Sequence, residues 1–136
     1  MDLEFTGRAT NGLQGKASFD YVDAYNDGAG HPSLDNSPRR LAKFNLTVPL
    51  IEQSLLLGVD GQFLGRRLTL SQDSLSSYQV FNLTLLGHEF KKHLDVAASV
   101  FNVLDKKYFD PGRPEDPEDA IQQDGRSFRI KITARF

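Results

Sequence analysis

The sequence predicts an all-β protein of about seven antiparallel strands, connected up and down. Apolar and polar residues alternate with period two over most of the 136 residues, and the 3.6-residue period of an amphipathic helix is almost absent. The ten Phe and four Tyr favour pleated, half-buried surfaces. Short connections also alternate with longer ones, as in a chain that runs up and down through one sheet.

Each predicted strand has one mainly apolar face and one polar face. In RLAKFNLTVPL, Ala42, Phe44 and Leu46 lie on one side. Lys43 and Asn45 alternate with them on the other side. The predicted strands are residues 3–9, 15–25, 40–50, 54–70, 78–87, 94–105 and 126–136.

The connections between these strands differ in length at the two ends of the sheet. The shorter ones are 10–15, 51–54 and 87–93, and the first contains Asn11-Gly12, a strong hairpin signal. The longer ones are 26–39, 71–77 and 105–125. Successive connections in an up-and-down sheet fall at opposite ends, so all the longer ones share one end. This asymmetry is typical of outer-membrane barrels, which have short periplasmic turns and longer external loops.

The polar faces mix charges with amides and hydroxyls, which suits a wet lumen with the apolar faces in lipid. The residues predicted to face this lumen, or a plug within it, are Lys43, Asn45, Asp60, Gln62, Asn82, Arg129 and Lys131. The pattern leaves open the inverse arrangement, a soluble β-barrel or sandwich that binds a small apolar ligand. That alternative requires its interior to be lined by Phe44, Phe81, Leu83 and Ile130. A small autonomous eight-stranded barrel would need a further strand in 109–125, which is too acidic and Pro-rich.

Composition argues against several other functions. A net charge of −2 does not suit nucleic-acid binding, and the absence of Cys removes thiolate metal sites. No metal or other cofactor is expected, and no nucleophile, base and orienting group can be assembled into an active site. Arg66 and Arg67 sit at the outer end of the fourth predicted strand, where they could contact an anionic ligand or lipid phosphates, or could simply be two solvated charges at the rim. The acidic residues of 105–125 are expected to form a solvated external loop.

Three segments carry a resemblance to a known family: ASVFNVLDKKYFDPG at 98–112, the terminal DGRSFRIKITARF at 124–136, and NSPRRLAKFNLTVPL at 36–50. The first two resemble the carboxyl end of TonB-dependent outer-membrane receptors, and the third resembles the strand two hairpins upstream in the same family. The resemblance runs over essentially all of residues 1–136 in one register. It implies that these residues are the carboxyl-terminal segment of a transmembrane β-barrel.

The resemblance also implies a function and partners. The intact receptor would be a non-enzymatic importer in the outer membrane of a Gram-negative bacterium, taking up a ferric siderophore, cobalamin or a similar solute when TonB pulls on a plug domain. Family members have about 22 strands, so the chain is expected to be a fragment that lacks the plug and the earlier strands. The barrel-assembly machinery would read a signal in the last strand, formed by Phe128, Ile130, Ile132 and Phe136.

Overall fold

The computed structural model describes residues 1–22, 37–52, 54–90 and 93–135, and their main feature is one open antiparallel sheet. Most of the predicted loop 26–39 and the terminal Phe136 lie outside these ranges. The seven strands of the sheet are β1 (Asp2–Arg8), β2 (Gln14–Tyr21), β3 (Arg40–Ile51), β4 (Leu55–Leu64), β7 (Tyr78–Phe90), β8 (Leu94–Phe101) and β11 (Ser127–Ala134). They pair in the order β1-β2-β3-β4-β7-β8-β11.

Four very short strands lie in the longer connections. β5 (Arg67–Leu68) pairs with β6 (Ser74–Leu75), and β9 (Phe109–Pro111) pairs with β10 (Ala120–Gln122). They are separate from the main sheet, so 109–125 adds no eighth strand to it. No helix long and apolar enough to cross a membrane occurs among the described residues. The prediction of an all-β fold with seven up-and-down strands is confirmed.

Three predicted strand ends differ from the described structure by three or more residues, and the predicted end of the second strand, residue 25, lies outside the described residues. β4 ends at Leu64 rather than residue 70, because its pairing with β7 stops at Tyr78 and the chain turns into β5 at Arg67. β7 continues to Phe90, with a register shift after Gly87. β8 ends at Phe101 rather than residue 105, since the next residue has a φ of 50° and leaves the strand conformation.

The first short connection is the hairpin that Asn11-Gly12 predicts. Gly12 has a φ of 86°, a conformation that side chains disfavour. The Ala9 N–H donates to the Leu13 carbonyl at 2.8 Å, and the Leu13 N–H donates to Asn11 Oδ1 at 3.2 Å. These bonds fix the register of β1 on β2, because the turn geometry sets which residues face each other.

The register places the predicted faces on opposite sides of the sheet. Phe44 lies beside Ala17 and Gly61, whereas its neighbour Asn45 lies beside Lys16 and Asp60. We call the two sides the apolar face and the polar face. The apolar face includes Leu3, Phe5, Phe19, Phe44, Leu46, Val59, Phe63, Phe81, Leu83, Val100, Phe128, Ile130 and Ile132.

Neither face is covered. Of the hydrophobic side chains described in the seven strands of the sheet, only Tyr78 and Val80 are buried, whereas Ile130 is 73% exposed. Strands β1 and β11 are the two edges and are not paired with each other. The described residues therefore do not enclose the apolar interior that the soluble-barrel alternative requires.

Candidate functional site

The polar face carries a row of side chains that share hydrogen bonds across the strands. Lys16 Nζ lies 3.0 Å from Glu4 Oε2, joining β2 to β1. In the centre of the sheet the Asn82 side-chain amide donates to Asp60 Oδ1 at 2.9 Å, joining β7 to β4. Because each strand offers its polar residue at the same level, cross-strand pairs of this kind stabilise the sheet.

A shallow cavity of about 510 Å³ lies over this part of the polar face. Five of the seven residues predicted to face a lumen line it: Lys43, Asn45, Asp60, Gln62 and Asn82. The remaining two lie on β11, on the same face but outside the cavity. The Arg129 guanidinium stands 4.8 Å from the centre of the Phe101 ring, and Lys131 pairs in register with Ala97.

The polar face ends, at the side of the short connections, in a charged cluster on three neighbouring strands. Asp95 on β8 accepts from Arg135 Nη2 at 2.6 Å and lies 2.9 Å from His88 Nδ1. Between this cluster and the cavity, the hydroxyls of Thr84 and Ser99 are 2.9 Å apart. Polar contacts therefore extend along most of the length of β7 and β8.

The apolar face is continuous even where the central strand has no side chain. Gly61 on β4 lies in register with Phe44 on one side and Phe81 on the other. The two ring centroids are 6.0 Å apart, and a Cβ built on Gly61 would come within 2.5 Å of the Phe44 ring. The rings of the neighbouring strands thus cover the glycine, a known way to compensate for its missing side chain.

The described part of the predicted assembly signal lies on this apolar face at the sheet edge. Phe128, Ile130 and Ile132 are 72%, 73% and 64% exposed. They alternate with Arg129 and Lys131 along β11, as the sequence predicts. The recognition of this strand by an assembly machinery stays a prediction.

At the other end of the sheet, two longer connections pack together. We call residues 65–78 and 102–126 the loop unit. Arg67, from the first connection, donates to Asp110 Oδ1 at 2.5 Å and to the Phe109 carbonyl at 3.1 Å, both in the second connection. The Tyr78 hydroxyl donates to the same Asp110 oxygen at 3.1 Å, and the Arg67 guanidinium lies 5.4 Å from the Tyr78 ring centre.

Arg67 is therefore not a solvated charge at the rim, and a ligand contact by Arg67 stays a prediction. Its side chain is only 6% exposed, since it inserts between the two connections and is neutralised by Asp110. Arg66, the residue before it, is exposed. A ligand contact by Arg66 stays a prediction.

The second connection begins with a turn built by Asn102, which is 3% exposed and has a φ of 50°. Its Oδ1 accepts from the Lys106 N–H at 2.9 Å, and its Nδ2 donates to the Lys106 carbonyl at 2.8 Å. The Asn102 N–H in turn donates to Asn82 Oδ1 at 2.8 Å. Asparagine suits this position because it tolerates a positive φ and bonds to its own turn.

Some acidic side chains of the second connection accept hydrogen bonds within the loop unit, while others, such as Glu115 and Glu118, are exposed, as expected of a solvated loop. Asp116 Oδ2 accepts from the Arg113 N–H at 2.8 Å, and Asp119 Oδ1 accepts from the Ser71 N–H at 3.2 Å. A hydrogen bond from the buried Thr69 hydroxyl lowers the pKa of Asp119 below its ordinary 3.8. Burial, then the charge of Asp110, raises the pKa of Tyr108 above its ordinary 10.0.

Sequence reasoning missed this loop unit because its contacts join residues far apart in the chain. Arg67 and Asp110 are separated by 43 positions, and no periodic pattern links them. The one local signal was the segment VFNVLDKKY, in which Asn102 and Asp105 both have a positive φ. Within the described residues, no group of three or more His, Cys, Asp or Glu side chains is placed to hold a metal ion.

No protein-family model matches the chain, and no curated protein sequence matches it significantly. Solved structures do match. The closed form of the ferric-catecholate import receptor Fiu of Escherichia coli K12 aligns with a TM-score of 0.82 over 99% of this chain, at 15% identity. A mutant of the ferric enterobactin receptor PfeA of Pseudomonas aeruginosa aligns at 0.75 over 98%, at 22% identity.

The siderophore receptor PiuA of Acinetobacter baumannii also aligns, with a TM-score of 0.77 over 96% of this chain at 18% identity. The chain spans about 20% of the length of these receptors: 20% of Fiu, 21% of PfeA and 20% of PiuA. The fold of this chain is thus similar to that of the barrel portion of these receptors. More specifically, the resemblance to TonB-dependent receptors is confirmed, and the matching structures are siderophore receptors.

Proposed function

We propose that this chain forms part of the barrel wall of a TonB-dependent receptor that imports a ferric siderophore. The observation that carries the proposal is the sheet itself, because its full length matches the barrels of three siderophore receptors while its two faces differ sharply in polarity. Within that receptor the chain contributes seven strands and the loop unit. Its role is structural and non-enzymatic.

The free energies of transfer support an apolar face in lipid. Burying a Phe or Ile side chain in an apolar medium contributes about 1.5–3 kcal/mol, and Phe128, Ile130 and Ile132 are all more than 60% exposed in the sheet. The inverse orientation would place charges such as Lys43 and Arg129 in lipid. Each would cost about 2–4 kcal/mol at the bilayer midplane. The gain from burying apolar side chains in lipid and the cost of burying charges there both favour the apolar face in lipid.

The polar face would then line a water-filled or plugged interior. Lys43, Arg129 and Lys131 are the cations there that could contact a plug domain, and Asp60 and Asn82 offer hydrogen-bonding groups beside them. The loop unit would lie outside the cell with the other longer connections. Phe128, Ile130, Ile132 and Phe136 would supply the signal for the barrel-assembly machinery.

A ferric siderophore is the favoured cargo because the matching structures are a ferric-catecholate, a ferric enterobactin and a siderophore receptor. Cobalamin or a similar large solute is the alternative from the same family. Energy would come from TonB acting on the plug of the complete receptor in the outer membrane.

The absence of Cys from the sequence permits a direct test of the two faces. Single cysteines are introduced at neighbouring positions of one strand, Asn45→Cys with Leu46→Cys on β3 and Ile130→Cys with Lys131→Cys on β11. Each pair shares its depth in the sheet and differs in face. The purified chains are transferred into detergent micelles and treated with a charged, water-soluble maleimide.

We expect fast labelling at positions 45 and 131 and slow labelling at positions 46 and 130. When a spin-labelled lipid is added to the micelles, it should approach only the cysteines at positions 46 and 130. If the chain is instead a monodisperse β-protein in plain buffer, with positions 46 and 130 protected there, the soluble-barrel alternative replaces this proposal. Equal labelling of both faces in detergent would also contradict it.

A further inference from the structure

Two adjoining depressions, of about 280 and 330 Å³, lie where the apolar face meets the loop unit. The smaller is lined partly by Phe63 and Gln79, which are register partners on the apolar face. The larger is lined by the serine-rich segment 74–77 and by Lys107. Lys106 lines both, so the two form one continuous surface, which we call the rim pocket.

The rim pocket has an amphiphilic lining. At its lower side, Phe63 is 37% exposed and Leu104 is 61% exposed, and both adjoin the apolar face. At its upper side are two lysines and several serine hydroxyls, which are hydrogen-bond donors. An apolar floor with a cationic, hydroxyl-rich upper edge matches a molecule that has acyl chains and an anionic head.

The charge of the two lysines is available to a ligand. Neither Lys106 nor Lys107 forms an ion pair with another residue of the described chain. Asp105 accepts from the Arg126 N–H at 2.8 Å and Asp110 pairs with Arg67, so neither carboxylate forms an ion pair with Lys106 or Lys107. Asp124 acts electrostatically on Tyr108, but it has no ion pair with either lysine.

The backbone that carries the lysines is held in place. The Lys106 N–H and carbonyl are both bonded to the buried Asn102 side chain, at 2.9 and 2.8 Å. The Tyr108 ring stacks on Tyr78, with centroids 4.2 Å apart. The flexible Lys stems therefore start from a fixed edge, so less conformational freedom is lost when they bind.

We propose that the rim pocket binds the phosphate headgroup of an anionic membrane lipid, with the acyl chains on the apolar face below it. This rests on the proposed function, since it requires the apolar face to lie in lipid. Lys106 and Lys107 would pair with the phosphate, and hydroxyls of segment 74–77 would donate to it. A basic site directly above an apolar wall is where an anionic headgroup meets the protein surface.

The test is lipid retention by the chain in nonionic detergent, measured by native mass spectrometry. Phosphatidylglycerol and phosphatidylcholine with the same acyl chains are compared, and inorganic phosphate is added as a competitor. The variant is Lys106→Gln with Lys107→Gln. The matched control is Arg113→Gln with Arg126→Gln, which makes the same charge change at two exposed positions of the same connection, outside the rim pocket.

Near an anionic headgroup each Lys contributes roughly fivefold in affinity, so the preference for phosphatidylglycerol should be on the order of 30-fold. The lysine variant should lose it and the arginine control should keep it. Equal retention of both lipids, loss of preference in the arginine control, or displacement by millimolar phosphate would each overturn the proposal.

Circular dichroism of the same samples separates the two levels of failure. If the chain gains no β-structure in detergent, the proposal of a lipid-facing apolar face is wrong, and the proposal of lipid binding at the rim pocket is wrong with it. If it folds in detergent but shows no preference between the lipids, the wall stands and only the rim pocket is wrong.

Discussion

On the seven-stranded sheet, the apolar Ile130 is 73% exposed, whereas in the loop unit the charged Arg67 is only 6% exposed. In the sheet, polar side chains form hydrogen bonds with the neighbouring strand, as between Asp60 and Asn82, and many apolar side chains stay exposed. In the loop unit, the buried charge of Arg67 is paired with Asp110, which lies 43 positions away in the chain. The comparison shows that the sheet depends on its surroundings for stability, while the loop unit carries most of its own.

The largest expected effect is at Asn102, which joins the two regions. Asn102→Ala removes three side-chain hydrogen bonds and keeps a φ of 50° without the asparagine that tolerates it. We expect the free energy of unfolding in detergent to fall by about 3–4 kcal/mol, because buried partners are left unpaired. Urea unfolding followed by circular dichroism measures this.

Asn102→Gly is the matched variant, since it removes the same bonds but accepts the positive φ. It should cost roughly 1 kcal/mol less than the alanine variant. Equal losses of unfolding free energy in the two variants would mean that the positive φ of residue 102 adds nothing to the cost of the alanine substitution. A cost below about 1 kcal/mol for Asn102→Ala would show that this turn does not hold the loop unit to the sheet.

The second effect concerns the loop unit alone. Asp110→Ala leaves the buried Arg67 guanidinium without its carboxylate, and removing one partner of a buried pair costs about 3–5 kcal/mol. Because Asp110 is 35% exposed, we expect about 2–3 kcal/mol, seen as faster hydrogen exchange at β9 and β10. Glu118→Ala, the same charge change at an exposed residue, should leave exchange unchanged. Comparable acceleration in both variants would contradict the role of the pair.

The third effect tests the sheet alone. Gly61→Ala places a methyl group against the Phe44 and Phe81 rings, and the rings must move to accommodate it. We expect a loss of about 1 kcal/mol in unfolding free energy. Gly7→Ala is the control, since nothing lies within 4 Å of its added Cβ, and it should be neutral or slightly stabilising. A gain at position 61 would show that the rings do not cover the glycine tightly.

The smallest effect is a pH dependence of the loop unit. The pKa of Asp119 is lowered in the folded chain, so its contribution is present above the ordinary value of 3.8 and is lost as the pH falls through the lower folded pKa. The protection of the Ser71 amide against hydrogen exchange should therefore decrease on acidification below about pH 4. Asp119→Asn should remove this dependence, and its persistence in that variant would assign it to another group.

The sheet could be predicted because its information is local. Alternation along RLAKFNLTVPL and RSFRIKITARF assigns the faces of β3 and β11 without knowledge of the partners, and Asn11-Gly12 fixes a hairpin by itself. Strand ends were less predictable. The end of β4 depends on where its pairing with β7 stops, at Tyr78, 14 residues later in the chain than Leu64.

The loop unit could not be predicted from residue types alone. Two adjacent arginines look alike in the sequence, yet Arg66 is exposed and Arg67 is buried. The difference arises because Arg67, the first residue of β5, is directed toward Asp110, whereas Arg66 precedes β5 and is exposed. Acidic, Pro-rich composition likewise suggested a solvated loop, while Asp110, Asp116 and Asp119 each accept a specific hydrogen bond.

The two side-chain hydrogen bonds of Asn82 limit which residues the sheet can tolerate at this position. Its amide nitrogen donates to Asp60 while its amide oxygen accepts from the Asn102 N–H, so the two ends of one planar group are committed in opposite directions. Aspartate, the nearest isostere, would place a second carboxylate against that of Asp60. Leucine would leave both Asp60 and the Asn102 N–H without their hydrogen-bond partner. At this position, resemblance in shape or in charge is not enough: a variant must keep one donor and one acceptor in the same order.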